Sequence, residues 1–277
     1  MISQTKTFRR ITRRLVLPLL LLPSSTFSTY HPSTGPCQLS PSWQSLPLLS
    51  SHKLTNQTST FTYSLPSSTE SLNLSPCACI LVRNPSGIVR PYTPTSNNSL
   101  KGSFTLTVKL YQNGVLSNSI FKNEPLEFCH INKNVKLQYP LSTSIKRVLL
   151  IAGGTGITPI NQLLECIDSE GDTVKEVVVF IGDQSSDDVI NLECISALEQ
   201  TNSPKFKIIR AYSGGENGRF IDEDAIRQHF VKSEGDCLAA ICGPPPMMTS
   251  ICGDREDSDV TGALKRLGWK KDEVYKF

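Results

Sequence analysis

The sequence predicts two domains, an antiparallel β-barrel in the first half and a doubly wound α/β domain in the second. Two observations support this division. Up to residue 142 the chain contains short segments in which apolar and polar side chains alternate, most clearly at residues 104–111, F-T-L-T-V-K-L-Y. From Lys146 onward, apolar runs alternate with amphipathic segments of helical period. Short alternating strands are typical of barrels, whereas strands separated by helices build doubly wound sheets.

Turn residues separate the predicted strands of the first domain. Residues 84–87, N-P-S-G, would join two strands as a hairpin, and residues 112–114, Q-N-G, form a second turn. The strands are predicted over residues 58–65, 77–82, 88–92, 104–111, 126–129 and 135–137. Residues 24–50 are rich in serine and proline and are predicted to be a linker. We therefore expect a targeting segment and linker over residues 1–45, and a β-barrel over residues 46–142.

The second domain, predicted over residues 146–277, alternates strands with helices. Its strands are predicted over residues 148–151, 176–181, 206–211 and 238–242. The run E-V-V-V-F-I at residues 176–181 is almost entirely apolar, as expected for a strand that is covered on both faces. Helices are predicted over residues 159–168, 188–200, 222–230 and 260–267.

Two of these strands run directly into glycine-containing turns. Residues 151–160 read I-A-G-G-T-G-I-T-P-I, and residues 242–247 read C-G-P-P-P-M. The glycines allow backbone angles that are barred to other residues and let a diphosphate approach the main chain. Thr158 and Pro159 suit the first turn of the next helix, whose N-terminal amides would face an anion. Parallel strands that end in such turns form a nucleotide crevice at the carboxyl edge of the sheet.

A third segment lies upstream, at residues 90–94, R-P-Y-T-P. Its two prolines stiffen the backbone. Arg90 offers a planar fork of donors that suits a phosphate, Tyr92 offers an aromatic face, and Thr93 offers a hydroxyl. Taken alone, the segment is as consistent with a stiff edge turn as with a ligand site.

In their order and spacing, these three motifs resemble those of the ferredoxin reductase superfamily and, within it, of the NADH-cytochrome b5 reductases. The likeness covers roughly residues 54–277, and residues 261–277 look most like the mitochondrial branch found in fungi. It implies an FAD-binding barrel followed by an NAD-binding domain. It also implies that a hydride passes from NADH to the FAD, and that single electrons leave to cytochrome b5 or a similar small haem protein.

The resemblance also implies a role for individual residues. Arg90 would meet the FAD diphosphate, Tyr92 would pack on the isoalloxazine or ribityl group, and Thr93 would hydrogen-bond near flavin N5. Val108 would lie on the flavin, and Lys109 would lie near the nicotinamide nucleotide. From the residues alone, a single lysine on a strand is more simply a solvated side chain.

Three further positions follow from the same resemblance. Gly114 and Ser117 stand where the family has a Gly-x-x-Ser whose amides and hydroxyl hold flavin phosphates, although the family's usual Pro-Gly-Asp turn is absent after it. Cys242 would lie beside the nicotinamide ring and align it without acting as a nucleophile, and Phe277 would border the flavin. The predicted catalytic residues are Thr93 and Cys242, and the predicted cofactor-binding residues are Arg90, Pro91, Tyr92, Thr93, Val108, Lys109, Gly114, Ser117, Gly153, Gly154, Thr155, Gly156, Thr158, Pro159, Asp183, Cys242, Gly243, Pro244, Pro245, Met247 and Phe277.

The choice of pyridine nucleotide depends on charges at the ends of the next strands. Asp183 follows a buried strand, where an acid favours a free ribose hydroxyl over a phosphate. Arg210 and Arg219 lie nearby in sequence and could accept a phosphate. The family's usual acid after the tyrosine of this strand is missing, because Tyr212 is followed by serine and glycine. We expect NADH, with NADPH as the alternative.

Two other functions remain open from the sequence. The same motifs occur in the reductase components of oxygenase and desaturase systems. A shortened flavin domain would also be consistent with a nucleotide-binding relic that has no catalytic activity. A flavin spectrum in the purified protein would argue against the relic.

The N-terminus resembles a targeting segment. Residues 1–14 are rich in arginine and hydroxyl side chains and contain no acid, as in a mitochondrial presequence. Residues 15–22 are apolar but too short to span a bilayer, which takes about 20 residues. We expect a mitochondrial location, in the outer membrane or intermembrane space, and the segment could contact a membrane surface. A secretory signal and the endoplasmic reticulum membrane are the alternative, in which sequons at Asn56, Asn73 and Asn97 would be usable.

Charge and cysteine content argue against several classes of function. The chain has a net charge of +3, but its first 69 residues contain no acid and carry +6, so the remainder carries −3. A body of that charge gives no support to a nucleic-acid partner. The odd number of cysteines and the absence of a C-x-x-C pair argue against a disulfide framework, a zinc site or an iron–sulfur cluster. We expect no metal and mostly buried, reduced thiols at positions 37, 77, 79, 129, 166, 194, 237, 242 and 252.

Overall fold

The computed structural model describes residues 37–130, 137, 139–168, 173–190, 192–201, 203–214 and 218–277. In its N-terminal part, two antiparallel sheets share one core. Their elements are β1 (Gln44–Ser45), β2 (Leu48–Lys53), β3 (Thr58–Ser64), β4 (Ile80–Arg83), β5 (Val89–Tyr92), β6 (Ser103–Lys109), α1 (Val115–Phe121) and β7 (Glu127–Cys129).

Every strand pairing in this first domain is antiparallel. One sheet has the order β1-β7-β4-β5 and the other the order β2-β3-β6. Aromatic rings fill the space that the sheets enclose: the centroid of Phe128 lies 4.7 Å from that of Tyr63 and 5.5 Å from that of Phe104. These side chains alternate with more exposed ones along their strands. The predicted antiparallel β domain is therefore confirmed.

The linker predicted over residues 24–50 is wrong in the part that the structure describes. Strands β1 and β2 lie there, and β2 pairs with β3, so that Leu48 stands opposite Tyr63. Leu39, still further upstream, is only 2% exposed and belongs to the core. The error has a physical cause: all of β2 after its first residue is exposed, and a strand without a buried face shows no apolar alternation.

Helix α1 was not predicted either. Serine and asparagine at residues 117–119 favour turns over helices in isolated chains. Tertiary packing overrides that preference, because Leu116 and Ile120 are 3% and 0% exposed in the core of the first domain. The strand predicted over residues 135–137 lies largely outside the described residues.

The second domain is built on one parallel sheet. Its strands are β8 (Arg147–Gly153), β9 (Glu176–Asp183), β10 (Phe206–Tyr212), β11 (Cys237–Cys242) and β12 (Val274–Lys276). Its helices are α2 (Ile157–Asp168), α3 (Glu193–Thr201), α4 (Glu223–His229), α5 (Pro245–Ile251) and α6 (Gly262–Arg266).

The strand order of this sheet is β10-β9-β8-β11-β12, and all four pairings are parallel. The chain therefore adds β9 and β10 on one side of β8 and then adds β11 and β12 on the other side. Helices cover both faces: Leu150 and Val179 pack in the cluster that contains α2 and α3, whereas Leu149 and Phe180 pack in the cluster that contains α4, α5 and α6. The predicted doubly wound sheet is confirmed.

Three details of this domain differ from the prediction. Strand β12 was missed because it has three residues, all half-buried, and so carries no pattern. Helix α5 was missed because its prolines stand in the first helical positions, where proline is tolerated. Helix α3 begins at Glu193 rather than at residue 188, because Val189 has an extended backbone after a short 3-10 turn.

The cysteines are dispersed through both domains, and none of them is joined in a disulfide. Five are buried, and desolvation is the first cause of each raised thiol pKa. It raises the pKa of Cys242 and of Cys252 to about 11. Burial also raises the thiol pKa at Cys37, Cys77, Cys129 and Cys194. The burial of five of the nine agrees with the expectation of mostly buried thiols.

Candidate cofactor site

The first glycine turn joins β8 to α2 at the carboxyl edge of the sheet. A Cβ on Gly156 would lie 2.1 Å from the carbonyl oxygen of Cys242, so only glycine lets the ends of β8 and β11 come this close. A Cβ on Gly153 would lie 2.7 Å from the sulfur of Met247. Gly154 differs from both, because its φ is +53° and no atom lies within 4 Å of an added Cβ. The turn is thus packed on one side and open at Gly154, as a diphosphate would require.

Helix α2 opens toward this turn. Its first turn contains no acidic residue, so no side chain of that turn neutralises the positive end of the helix dipole. The hydroxyl of Thr158 donates to the carbonyl oxygen of Thr155 at 3.1 Å and closes the turn. Thr158 and Pro159 are both buried, which fixes where the helix begins. The N-terminus therefore offers a rigid, positive surface to an anion.

The second turn places Cys242 at the end of β11, beside Gly156. Burial raises the pKa of this thiol to about 11, although the nearby Arg255 guanidinium acts in the opposite direction. Arg255 also donates to the carbonyl oxygen of Gly243 at 2.8 Å, which anchors the turn. Cys242 is therefore a neutral thiol near pH 7. This agrees with a role in alignment and not in nucleophilic attack.

The C-terminal strand lies along the same edge. The backbone amide of Phe277 donates to the carbonyl oxygen of Ile241 at 3.0 Å. The Phe277 ring meets Tyr275 edge to face, with centroids 4.6 Å apart. Phe277 thus lies next to the residue that precedes Cys242. After that turn, Pro244 and Pro245 begin α5, which carries Met247 against Gly153.

The R-P-Y-T-P segment forms β5 and the residues after it. Arg90 is exposed, and among the described residues its guanidinium donates to the neighbouring carbonyl of Val89, at 2.7 Å. Tyr92 is half-buried; burial raises its pKa to about 12, and Tyr111 acts in the same direction. Thr93 is also half-buried. The charge of Arg90 and the hydroxyl of Thr93 are therefore accessible where a flavin is predicted.

Three other predicted residues are placed less favourably than the resemblance implies. Val108 is 1% exposed and faces the domain core, which leaves only its main chain for a ligand. The hydroxyl of Ser117 is used inside its own loop, where it donates to the carbonyl oxygen of Gly114 at 3.1 Å and accepts from the amide of Tyr111 at 3.3 Å. The ammonium of Lys109 lies 3.7 Å from the Asp188 carboxylate of the other domain.

Near the ends of β9 and β10, the charges of Asp183 and Arg210 favour a nucleotide without an extra phosphate, whereas Arg219 could accept one. Asp183 is 8% exposed, and its Oδ2 has no hydrogen-bond partner in the described structure. Burial raises the pKa of Asp183, while Arg210 and Lys109 oppose that rise. Arg210 is itself neutralised by two bonds to the Glu199 carboxylate, at 2.8 and 3.1 Å. Arg219 is exposed at the end of β10, where its amide donates to Tyr212 at 2.7 Å.

Sequence reasoning missed two side chains that join these parts. Gln162 on α2 bonds to the backbone at Cys77 and Pro94 in the first domain. Arg255 reaches the second glycine turn from a loop after α5. For Gln162, a polar residue one turn after Pro159 is a weak sequence signal of its role. For Arg255, we find no signal in the sequence. In the described part of the chain, no cluster of histidine, cysteine, aspartate or glutamate could hold a metal ion.

Comparison with known proteins finds a match for each half of the chain. Residues 45–142 match the oxidoreductase FAD-binding domain and residues 150–253 match the oxidoreductase NAD-binding domain. NADH-cytochrome b5 reductase 2 of Yarrowia lipolytica is 32% identical, over 85% of this chain and 86% of the relative. The NADH-cytochrome b5 reductase-like protein of Arabidopsis thaliana is 30% identical, over 88% of this chain and 80% of the relative.

Solved structures share the fold. The cytochrome b5 reductase domain of Ulva prolifera nitrate reductase superposes with a TM-score of 0.71 at 23% identity, covering 87% of this chain and 100% of that domain. The order of an antiparallel FAD-binding domain and a parallel NAD-binding domain is the same as predicted. Taken with the two domain matches and the identity to the reductases of Yarrowia and Arabidopsis, this shows that the chain belongs to the NADH-cytochrome b5 reductase family.

Proposed function

We propose that this protein is a flavoenzyme that takes electrons from NADH through FAD and delivers them to cytochrome b5 or a similar small haem protein. One observation carries the proposal: the R-P-Y-T-P segment and the helix that follows the first glycine turn, which belong to different domains, are in hydrogen-bond contact. Gln162 connects them directly, through a 2.7 Å bond to the Pro94 carbonyl. The two motifs thus form one site.

The residues of this site fit the two nucleotides. When bound, FAD accepts a pair of electrons and releases them one at a time, which is chemistry that no side chain here supplies. Arg90 would hold the FAD diphosphate, and Tyr92 and Thr93 would hold and orient its ring system. Gly154 and the N-terminus of α2 would bind the NADH diphosphate. Cys242 and Phe277 would border the nicotinamide and exclude water from it.

The test begins with the purified protein. Its flavin is released by denaturation and identified, and the reduction of the bound flavin by NADH is followed in a stopped-flow instrument. We expect FAD, rapid bleaching by NADH, and reoxidation by cytochrome b5. A colourless protein that cannot be reconstituted, or one that holds only FMN, would refute the proposal. Reoxidation by an oxygenase component but not by cytochrome b5 would support the other reductase class.

We expect NADH to be preferred over NADPH by at least tenfold in kcat/KM. The buried Asp183 carboxylate would repel a 2′-phosphate, and Arg210 is engaged by Glu199. Because burial raises the pKa of Asp183, it gains a proton earlier than an ordinary aspartate as the pH falls, so the preference should narrow at low pH. Asp183→Asn should narrow the preference at neutral pH and remove its dependence on pH. A higher kcat/KM for NADPH in the unaltered protein would reverse the assignment.

Replacement of Cys242 by serine should slow flavin reduction by about 10- to 100-fold, since misalignment of reacting groups by about 1 Å costs on that order. Serine is neutral like the thiol but smaller, so FAD content should not change. Because the thiol pKa is about 11, the rate in the unaltered protein should show no step from this group between pH 6 and 9. Stopped-flow reduction at saturating NADH measures both the effect of the substitution and the dependence of the rate on pH. An unchanged rate in the serine variant would mean that Cys242 only packs.

We further propose a mitochondrial location, set by the targeting segment predicted within residues 1–45, with the endoplasmic reticulum membrane as the alternative. The support is the arginine-rich, acid-free composition of residues 1–14. Among the residues that the structure describes, no helix is long and apolar enough to cross a bilayer. Fusion of residues 1–45 to a fluorescent protein, followed by imaging and fractionation, tests the location. A reticular signal or glycosylation of the full chain would contradict it.

A further inference from the structure

Helix α2 carries a glutamine that spans the boundary between the two domains. Gln162 lies one turn after Pro159 and is half-buried. Its Oε1 accepts the backbone N–H of Cys77 at 2.8 Å, and its Nε2 donates to the carbonyl oxygen of Pro94 at 2.7 Å. Both ends of one carboxamide therefore bond to the backbone of the other domain, so its orientation is fixed.

The two backbone groups that bond to this carboxamide lie close to predicted cofactor-binding residues. Pro94 follows Thr93 and ends the R-P-Y-T-P segment, while α2 begins directly after the glycine turn. Cys77 has a φ of +61°, in the left-handed region, which non-glycine residues seldom adopt without a local reason. Its thiol lies 3.7 Å from the carbonyl oxygen of Pro159 on the same helix. One side chain thus ties the flavin motif to the helix that would receive the nicotinamide nucleotide.

Two other polar contacts, which join β6 and the residue that follows it closely in sequence to the second domain, are longer. The hydroxyls of Tyr111 and Thr155 are 3.5 Å apart, at the limit of a hydrogen bond, and the pair is exposed. The ammonium of Lys109 and the carboxylate of Asp188 are 3.7 Å apart. Neither pair contacts the backbone of both motifs. Apart from the 2.7 Å bond from the Tyr139 hydroxyl to the Cys166 carbonyl oxygen, near the far end of α2, Gln162 makes the shortest polar connection that the structure describes between the first domain and this helix.

We propose that Gln162 is a positioning residue that fixes the nicotinamide-binding helix relative to the flavin motif and thereby sets the rate of electron transfer from NADH to FAD. This inference rests on the proposed function. Each domain holds its own nucleotide, so the distance between the two reacting rings depends on how the domains are joined. A shift of about 1 Å in reacting groups lowers rates on the order of 100-fold. The carboxamide acts through the backbone and needs no contact with either nucleotide.

Two substitutions separate the two hydrogen bonds. Gln162→Met keeps the length of the side chain and removes both bonds. Gln162→Glu keeps an acceptor for the Cys77 amide but replaces the donor to Pro94 by a second acceptor, which repels the carbonyl oxygen. Glu176→Gln is the matched control, because it weakens an ion pair with Arg147 at the opposite edge of the same sheet.

The experiment measures three quantities on the FAD-loaded protein. They are the limiting rate of flavin reduction at saturating NADH, the apparent Kd for NADH, and the hydrogen–deuterium exchange of the Cys77 amide. In Gln162→Met we expect the rate to fall about 10- to 100-fold with little change in Kd, and the Cys77 amide to exchange about tenfold faster. In Gln162→Glu the rate should fall while the Cys77 amide stays protected. In Glu176→Gln none of the three should change.

The outcomes distinguish this inference from the proposed function. If NADH does not reduce the flavin of the unaltered protein, the proposed function fails, whatever the variants do. If it does, and Gln162→Met is reduced at the same limiting rate while its Cys77 amide exchanges faster, the positioning role is refuted. An equal loss of rate in Glu176→Gln would also refute it, because the effect would then be general destabilisation. If Gln162→Met does not fold, Gln162→Glu decides the question with the same readouts.

Discussion

Replacing Gly156 with alanine is expected to destabilise the protein and to abolish efficient use of NADH. The added Cβ would lie 2.1 Å from the Cys242 carbonyl oxygen and 2.5 Å from the carbonyl carbon. These are backbone atoms of β11, so no side chain can rotate away and the two strand ends must separate. Forcing extra volume into a packed site costs about 1–3 kcal/mol. For a domain of this size, that lowers the melting temperature by roughly 3–10 °C.

Loss of the contact should also slow flavin reduction by more than about 100-fold, because both glycine turns move. The matched variant is Gly154→Asn. Gly154 has a φ of +53°, but no atom lies near its added Cβ, and asparagine adopts this backbone at small cost. It should keep its melting temperature and weaken NADH binding, since the side chain would fill the open face. Thermal unfolding and NADH titration of both variants check this. A stable, fully active Gly156→Ala protein would contradict the close approach of the strands.

Removal of the Arg90 side chain is expected to weaken FAD binding about 10- to 100-fold. Its guanidinium is exposed and has no carboxylate partner in the described structure, only the carbonyl of Val89. Hydrogen bonds to a charged group contribute about 1.5–3 kcal/mol, and each 1.4 kcal/mol is about tenfold in affinity. Fluorescence titration of the apoprotein with FAD measures the loss. The FAD affinity of Arg90→Lys should lie between those of the unaltered protein and the alanine variant, because lysine keeps the charge without the planar fork.

Arg83→Ala is the control for that experiment. Arg83 lies on the neighbouring strand β4, but its guanidinium is 2.6 Å from the Glu127 carboxylate and 4.4 Å from the centre of the Trp43 ring. Its loss should lower stability slightly, by about 1 kcal/mol or less, and leave FAD affinity unchanged. Equal effects of the two alanine variants on FAD affinity would mean that Arg90 has no special role.

The motifs were the part of the site that sequence could predict best. The turn at residues 153–156 and the turn at Cys242 are specified by glycines. Glycine is required there by the local backbone conformation, so the turns can be predicted from a short stretch of sequence. Strands such as β3 and β6 were predicted because each has one buried face. The polar edge strand β2 and the short strand β12 were missed, since the first has no buried face and the second is too brief to show one.

The connections between motifs could not be predicted. Gln162 bonds to residues 68 and 85 positions away, and no local pattern encodes such partners. Tertiary packing also decided the placement of Val108 and Ser117, which the family resemblance put against the flavin. Alternation of apolar and polar residues along a strand predicts that every second side chain is buried. It does not say whether the buried side chains pack in the protein core or against a ligand. The site residues therefore remain predictions that the variants above can test.

The burial of the thiols has a consequence for how the protein withstands oxidants. Thiolate, not thiol, reacts with peroxides and with other disulfides. Because burial raises the pKa of Cys242 and of Cys252 to about 11, both groups are almost entirely in the thiol form at pH 7. Reactive oxygen species formed next to a reduced flavin would therefore oxidise these two thiols slowly. The protein can hold sulfur at an electron-transfer site without acquiring a redox switch there.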